Sequence, residues 1–460
     1  MRQNNSPWLT QLHHDRIIQR LEKDAQADVV IVGGGIAGIT TLFFLLKYTD
    51  KKIMLIEGHR IAHGATGHNA GQVVAEFEKP LIDLIKEHGM NKTVRALGMV
   101  EDAWELLDEM MQDSQVEVPW HEFVGYGGYS EIEQLVNDLE TELVKSQHGL
   151  IAFPVMVSRE SGWVSQIPKK YESIITVVDQ VIIDQYLATD KGGYHAVTAQ
   201  KKGVMNSALF TEKLALWCAE KYPNRSKLVE HSYVHGIELA GEKIKVITNE
   251  ATVFCDEIVL CTNGFENFYI HEKSGSGLDT KFHHEVHGAV GYMTGFVTHK
   301  ELDPLANYYY EPGNVRGSDP FTSDPYFYVT RRPFQRGGEK LNLVSVGGPE
   351  VQLAEREIYY RDFDVAHTHH EDSVKFMNRH FDMDDTKEVF FWHGLMGFTK
   401  SGVRVVGREP RDPRLMYNLG CNGVGILPSI MGARKIARHV AGEEVPETIF
   451  DPQPTYDGTH

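Results

Sequence analysis

The chain is poor in cysteine, in positive charge and in long apolar runs, and each shortage argues against a class of protein. Its four cysteines, Cys218, Cys255, Cys261 and Cys421, are scattered and form no CxxC pair, too few for a disulfide framework. A reducing, cytoplasmic setting is expected. Forty-six Lys and Arg against 64 Asp and Glu leave a formal charge of −18, which repels nucleic-acid backbones and anionic lipid. No nucleic-acid partner is expected. Residues 29–46 carry no charged side chain, yet Gly33, Gly34 and Gly35 divide them into a short β-rich run and a helix, so no integral membrane segment is expected. The polar residues 1–27 have no apolar core of a signal peptide.

What is present is an ordinary globular composition, 42% hydrophobic and 24% charged over 460 residues. That length suits two or three domains, or one cofactor-binding domain with a second folded into it.

Gly33-x-Gly35-x-x-Gly38 stands between a predicted strand at 28–32 and a predicted helix from Ile36 to Tyr48. Without side chains the backbone turns sharply, approaches a pyrophosphate and packs the helix on the sheet, while amides at the helix start, around Ile36 and Ala37, face the phosphates. Glu57 follows Gly38 by 19 residues, at the end of the next strand, where a carboxylate accepts hydrogen bonds from both hydroxyls of an adenosine ribose. After Gly58 comes the small-residue run Gly64-Ala65-Thr66-Gly67-His68-Asn69-Ala70-Gly71-Gln72, a loop suited to a cofactor longer than NAD.

These motifs, together with residues 256–264 and a C-terminal glycine-rich stretch, resemble the D-amino-acid-oxidase superfamily of flavoproteins, especially its glycine oxidase, sarcosine oxidase and γ-glutamylputrescine oxidoreductase branch. The resemblance implies an α/β (α+β mixed) fold in which a Rossmann-like ββα domain that binds FAD interleaves with a mixed β-sheet substrate domain. It implies oxidation of the C–N bond of an amine or amino-acid-like small molecule by hydride transfer to flavin N5, with hydrolysis of the imine and electrons passing to O₂ or an electron carrier. It places Val234, Thr262, Asn263 and Gly264 at the adenosine half, where the alternative is a plain core strand. Gly394, Gly423, Val424, Gly425, Ile426 and Leu427 fall in the second flavin stretch, where the start of a helix stabilises negative charge on the reduced ring.

Three departures from the family pattern stand out. Met396 occupies the place of a carboxylate-binding arginine, and Leu427 that of a carboxylate-binding lysine. Tyr328, Arg331 and His393 are the candidates for the substrate pocket, although Arg331 and Arg332 also read as a surface pair. No lysine lies within residues 341–348, where several related oxidases have one, so dehydrogenase behaviour stays open. His68 matches the histidine that is 8α-linked to flavin in some relatives; the alternative, a polar contact to non-covalent FAD, is favoured. Two other readings remain: an FAD-dependent dehydrogenase of a 2-hydroxy acid or alcohol, and a flavin-binding assembly protein without turnover.

Along the chain, residues 1–24 read as an extension with a short helix at 15–23. Residues 25–80, 200–270 and 385–445 read as the FAD domain, 81–199 and 271–384 as the substrate domain, and 446–460 as a tail; a homo-oligomer is left open. Helical periodicity covers 81–112, 130–147 and 207–221, and strands are expected near 229–237, 243–248 and 258–261, with an aromatic, strand-rich stretch at 284–348. His283-His284 and His367-x-His369-His370-Glu371 raise a metal reading, but no Cys/His quartet accompanies them and solvated polar clusters are expected, with no metal.

Overall fold

Four apolar residues, Val29–Val32, form a fully buried strand at the centre of a six-stranded sheet, which is what a run without alternation predicts for a parallel sheet covered on both faces. The computed structural model describes residues 4–13, 15–189, 191–265, 268–271, 278, 286–313, 326–354, 357–361 and 367–453. Parallel neighbours of Val29–Val32 are Ile53–Ile56 on one side and Glu257–Leu260 on the other, flanked by Ser226–Val229 and Leu415–Leu419. Val405–Arg408 closes the edge antiparallel. Helix Ile36–Tyr48 packs between helices Ser207–Lys221 and Ile426–Val440, which is why it is apolar on nearly every face without being a membrane span. Among the described residues no helix is long and apolar enough to cross a membrane.

A ten-stranded mixed sheet forms the second layer, in the order Lys387–Phe398, His287–Thr298, Glu339–Gln352, Phe327–Arg336, Leu305–Tyr310, Trp120–Tyr129, Ala196–Met205, Val155–Ser158 and Ile175–Val178, with Gln72–Val74 also paired to Ala196–Met205. A small sheet carries Val234–Glu238. Residues 387–398 and 72–74 thus pair with the large sheet, although sequence reading groups them with the nucleotide-binding segments.

The helix at 207–221 lies as expected, capped where the Asn206 side chain accepts from the Leu209 amide at 3.0 Å. Residues 81–112 fall in Leu81–His88, Met90–Glu101 and Ala103–Ser114, the first of these helices ended by Gly89 at φ +83°. The strand expected at 229–237 is two, Ser226–Val229 and Val234–Glu238, separated by a turn with His231 at φ +51°.

The helix expected at 15–23 is absent, and the cause is side-chain anchoring. Arg16 is held by Glu212 at 2.8 Å and by both oxygens of Glu230, while the Glu230 amide donates to Gln19 O and the Leu21 amide to Ser232 Oγ. Those contacts require extended chain. The extension is also no appendage, since Trp8 is fully buried in the main core.

Candidate flavin and substrate site

The strand-turn-helix at 29–48 leaves backbone where a dinucleotide needs it. A Cβ on Gly33, at φ +108°, would lie 2.6 Å from Cys261 O, and one on Gly38 would lie 1.9 Å from Gly33 O, so neither position accepts a side chain. Gly35 and Ala37 line a cavity, and their N–H groups make no hydrogen bond among the described residues. Unmet amides at a helix start facing open space form a phosphate cradle. The Ile36 amide is taken by Thr66 Oγ1 at 2.9 Å, which ties the small-residue loop to this turn.

Glu57 ends its strand with Oε2 accepting from the Gly34 amide at 2.7 Å and Oε1 from the His59 amide at 2.8 Å. Both bonds orient the carboxylate along the cavity wall and leave lone pairs for ribose hydroxyls. Burial raises its pKa, against the opposing pull of the two amides. Val234, Gly58 and Thr262 line the same end.

The cavity is about 840 Å³, within the range of small-molecule sites and near its upper end. It runs from Glu57 past Ala65, Thr66 and His68–Gln72 to a second cradle at Gly394, Gly423, Val424, Gly425 and Ile426. There the helix Ile426–Val440 begins, its Ile426 and Leu427 amides making no hydrogen bond among the described residues. The Leu427 side chain itself is fully buried in the core. An elongated cavity with an acid at one end, amides at the middle and a helix start at the far end fits an extended FAD in its donor and acceptor pattern.

His68 lies on this path. Its Nδ1 is 2.9 Å from Gly64 O, and burial pushes its imidazolium pKa down to about 4. The ring is therefore neutral, with the proton on Nδ1 for a carbonyl that only accepts and a lone pair on Nε2. Arg404 also lines the cavity; buried, it donates to Asn418 Oδ1 at 2.6 Å and Asn418 O at 2.9 Å, and burial pushes it down to about 10.

Beyond the second cradle the cavity wall is aromatic and acidic. Tyr308, Tyr326, Tyr328, Met396, Glu78 and Glu350 line it. Tyr328 is where sequence reading puts it; its ring packs so closely on Gly347 that a Cβ there would meet ring carbons at 2.4 Å.

Arg331 does not line the cavity. It is three residues from Tyr328 on one strand, and an odd separation puts the two side chains on opposite faces. Its guanidinium lies 5.6 Å from the Phe381 ring. Arg332 is buried rather than a surface residue and lies 4.8 Å from the Trp8 ring. His393, 1% exposed, is outside the lining too; its Nδ1 is 2.9 Å from the Tyr359 hydroxyl. Gly67 and Gly264 support the wall from behind: a Cβ on Gly67 would lie 2.5 Å from Ala62 O, and one on Gly264 would lie 2.5 Å from the Val286 side chain. Asn69 fixes its own loop, donating to Ser207 Oγ at 2.8 Å and accepting from the Gly71 amide at 2.9 Å. Asn263 lines the cavity, accepting from the Cys421 amide at 2.8 Å.

In the cluster at 367–371, His370 is not solvated. His370 is buried, with Nδ1 2.9 Å from Thr294 Oγ1 and Nε2 3.1 Å from Glu388, because helix His367–His380 lies on the large sheet. His283 and His284 lie outside the described residues. Among the described residues no group of three or more His, Cys, Asp or Glu is placed to hold a metal ion.

A family profile described as FAD dependent oxidoreductase, DAO, matches residues 28–439. The chain belongs to the DAO family. This DAO chain is 23% identical over 261 residues to the probable oxidoreductase OrdL of Haemophilus influenzae, covering 56% of the chain and 51% of that protein. It is 31% identical over 98 residues to the γ-glutamylputrescine oxidoreductase of Escherichia coli, covering 21% of the chain and 22% of that protein. The match therefore spans about half of the first relative and less of the second. Among solved structures, glycine oxidase from Geobacillus kaustophilus superposes with a TM-score of 0.65 at 16% identity, covering 93% of this chain and 98% of that one. L-proline dehydrogenase from P. horikoshii gives 0.67 at 15% identity, covering 92% and 95%. At such identities the superpositions establish the DAO fold, and the FAD cofactor follows from the family.

Sequence reading, which gives the tyrosines at 308–310 and 326–328 as core or cavity wall, missed Glu78, Glu350, Arg404 and the Tyr359–Arg361 stretch as cavity wall. A signal existed for Glu78, since Glu76 and Glu78 continue the strand Gln72–Val74 at alternate positions next to the flavin loop.

Proposed function

We propose that this DAO protein oxidises the C–N bond of a small amine to an imine that water then hydrolyses, with the amine held between the second cradle and the tyrosine-lined wall. FAD, when bound, supplies the hydride acceptor. The chain holds it at Glu57, at the Gly33–Gly38 turn and at the start of helix Ile426–Val440, and it shapes a chamber that orients the substrate and excludes water. No side chain is required to remove a proton from carbon, because the α-hydrogen leaves with its electron pair.

The observation that carries this reading is the chemistry of the chamber wall. Two carboxylates, Glu78 and Glu350, line it, while Met396 and Leu427 stand where carboxylate-binding cations are expected. A 2-hydroxy acid would bring its own carboxylate beside them with no cation expected from the family at Met396 or Leu427, an arrangement penalised away from water. The same wall disfavours the hydroxy-acid dehydrogenase, and an elongated cavity continuous with a reactant-sized chamber disfavours a role without turnover.

The test is anaerobic mixing of the flavin-loaded protein with amines, amino acids, 2-hydroxy acids and alcohols, following loss of the oxidised flavin absorbance. Amines bleach it on this reading; bleaching by hydroxy acids or alcohols alone overturns it. Peroxide release compared with dye reduction then identifies the acceptor as O₂ or an electron carrier. The cytoplasm, where free cysteines and an acidic surface are at home, is the setting we assign.

A further inference from the structure

We infer that Arg361, carried on a strap pinned to the N-terminal extension and the large sheet, is the cation that binds the pyrophosphate of FAD and completes the cradle at Gly35 and Ala37. The inference concerns how the cofactor is held and stands whichever substrate is oxidised.

Residues 357–361 form neither helix nor strand, yet they are tied down at three points. The Glu357 amide donates to Ala354 O at 2.8 Å, and Glu357 Oε2 accepts from the Ala354 amide at 3.1 Å. The Tyr359 hydroxyl lies 2.9 Å from His393 Nδ1. Asn4 holds the far end: its Nδ2 donates to Arg361 O at 3.1 Å and to His393 O at 3.2 Å, while its Oδ1 accepts from the His393 amide at 3.1 Å. One asparagine of the extension thus joins the strap to strand Lys387–Phe398. Ile358 and Tyr360 are exposed, whereas Tyr359 and Arg361 are half-buried and line the cavity.

Among the described residues, Arg361 and Arg404 are the arginines that line the cavity, and no lysine does. Arg404 is committed to Asn418. The strap uses only the backbone of Arg361, whose guanidinium makes no hydrogen bond or ion pair among the described residues. The groups that sense its charge mark its place. At Glu57 burial raises the carboxyl, and Arg361 is among the charges that pull it back down. At His63 and His68 burial lowers the imidazolium, and Arg361 lowers it further. Glu57 marks the ribose end, and His63 and His68 flank the loop whose Thr66 hydroxyl takes the Ile36 amide. A positive charge near all three lies by the phosphate turn. At Tyr328, toward the substrate chamber, burial and the carboxylates Glu350 and Glu78 raise the phenol instead.

A pyrophosphate brings two negative charges to this turn. The unmet amides of Gly35 and Ala37, with the dipole of helix Ile36–Tyr48, offset about half of one charge. Arginine adds a full charge and a planar fork that matches two phosphate oxygens. The amides belong to the nucleotide-binding sheet and the arginine to a strap anchored on the large sheet, so an anion held by both ties the two layers together.

The experiment titrates the flavin-free full chain with FAD, ADP, adenosine and riboflavin by calorimetry, for the parent, Arg361→Gln and Asn4→Ala. Arg361→Gln is expected to weaken FAD and ADP by about tenfold or more, to leave adenosine and riboflavin within about twofold, and to flatten the fall of ADP affinity with added salt. Adenosine bound at the parent's affinity shows that the site of the variant is folded. Asn4→Ala keeps the arginine and frees the strap, and it is expected to weaken ADP in the same direction while sparing adenosine; it decides the matter where Arg361→Gln does not fold. ADP and adenosine weakened alike, or FAD and ADP unchanged, overturn the inference. So does full FAD uptake by Arg361→Gln with loss of bleaching by amino acids alone, which would place the guanidinium at a substrate carboxylate. A parent chain that binds neither FAD nor ADP overturns the inference together with the cofactor assignment.

Discussion

The indole N–H of Trp8 donates to the backbone carbonyl of Asn69 at 2.6 Å, and Trp392 donates to the same oxygen at 3.2 Å. A residue of the N-terminal extension and one of the large sheet thus fix one atom of the flavin loop, with their rings edge to face at 6.0 Å. Ser6 adds a bond to Gly67 O at 2.5 Å, so the extension braces the cofactor loop from behind.

Trp8→Phe keeps most of the buried volume and removes the donor. Stability is expected to fall by about 1 kcal/mol, with faster loss of FAD on dilution. Trp8→Ala removes the buried ring as well, and about 3–5 kcal/mol is expected from denaturant unfolding. Unchanged FAD retention in both variants would contradict the role assigned to Trp8.

Glu57→Gln tests the adenosine end. Both oxygens of Glu57 accept from backbone amides, so the amide nitrogen of glutamine must face the Gly34 or the His59 N–H, donor against donor. Together with the lost charge toward ribose, this is expected to weaken FAD binding by about tenfold or more, at about 1.4 kcal/mol per tenfold. Fluorescence titration of the apoprotein with FAD measures it.

Glu350 gives a pH signature independent of catalysis. Its folded pKa, about 8, lies above the ordinary carboxylate value, so the folded state holds a proton that the unfolded state has lost. Its contribution to stability is present at pH 4 and declines as pH rises toward 8. Glu350→Gln is therefore expected to raise the melting temperature relative to the parent more at pH 8.5 than at pH 5. An equal change at both pH values would place the carboxyl in ordinary solvent.

What sequence alone conveyed follows the range of the physics involved. Gly33, Gly38 and Glu57 were legible because a strand-turn-helix is a local pattern, although the Cys261 carbonyl that also bars a side chain at Gly33 is far away in sequence. Gly425 and Ile426 were legible for the same reason. Arg331 was misplaced although strand alternation from Tyr328 already puts it on the opposite face. Glu78 and Glu350 were not legible as a pair, because only the meeting of the flavin loop with a strand end 272 residues later brings them to one cavity. The missing helix at 15–23 shows the converse: Arg16 takes its conformation from Glu212 and Glu230, far away in sequence.

His68 decides how FAD is held. We expect a polar contact from a neutral imidazole, so acid precipitation leaves the flavin in the supernatant. Flavin colour retained in the washed pellet, and lost in His68→Ala, would instead assign an 8α-histidyl bond.

The central claim is that one FAD lies extended between the Gly33–Gly38 turn and the start of helix Ile426–Val440. It is tested most directly by reconstituting the purified chain with FAD and measuring bound flavin per protein, for the parent and for Gly35→Val, which puts a side chain into the phosphate cradle beside Thr66 Oγ1, with circular dichroism checking that the variant is folded. The account predicts one flavin per parent chain and little in the variant. A parent chain that takes up no flavin, or a variant that binds it as well as the parent, would contradict it.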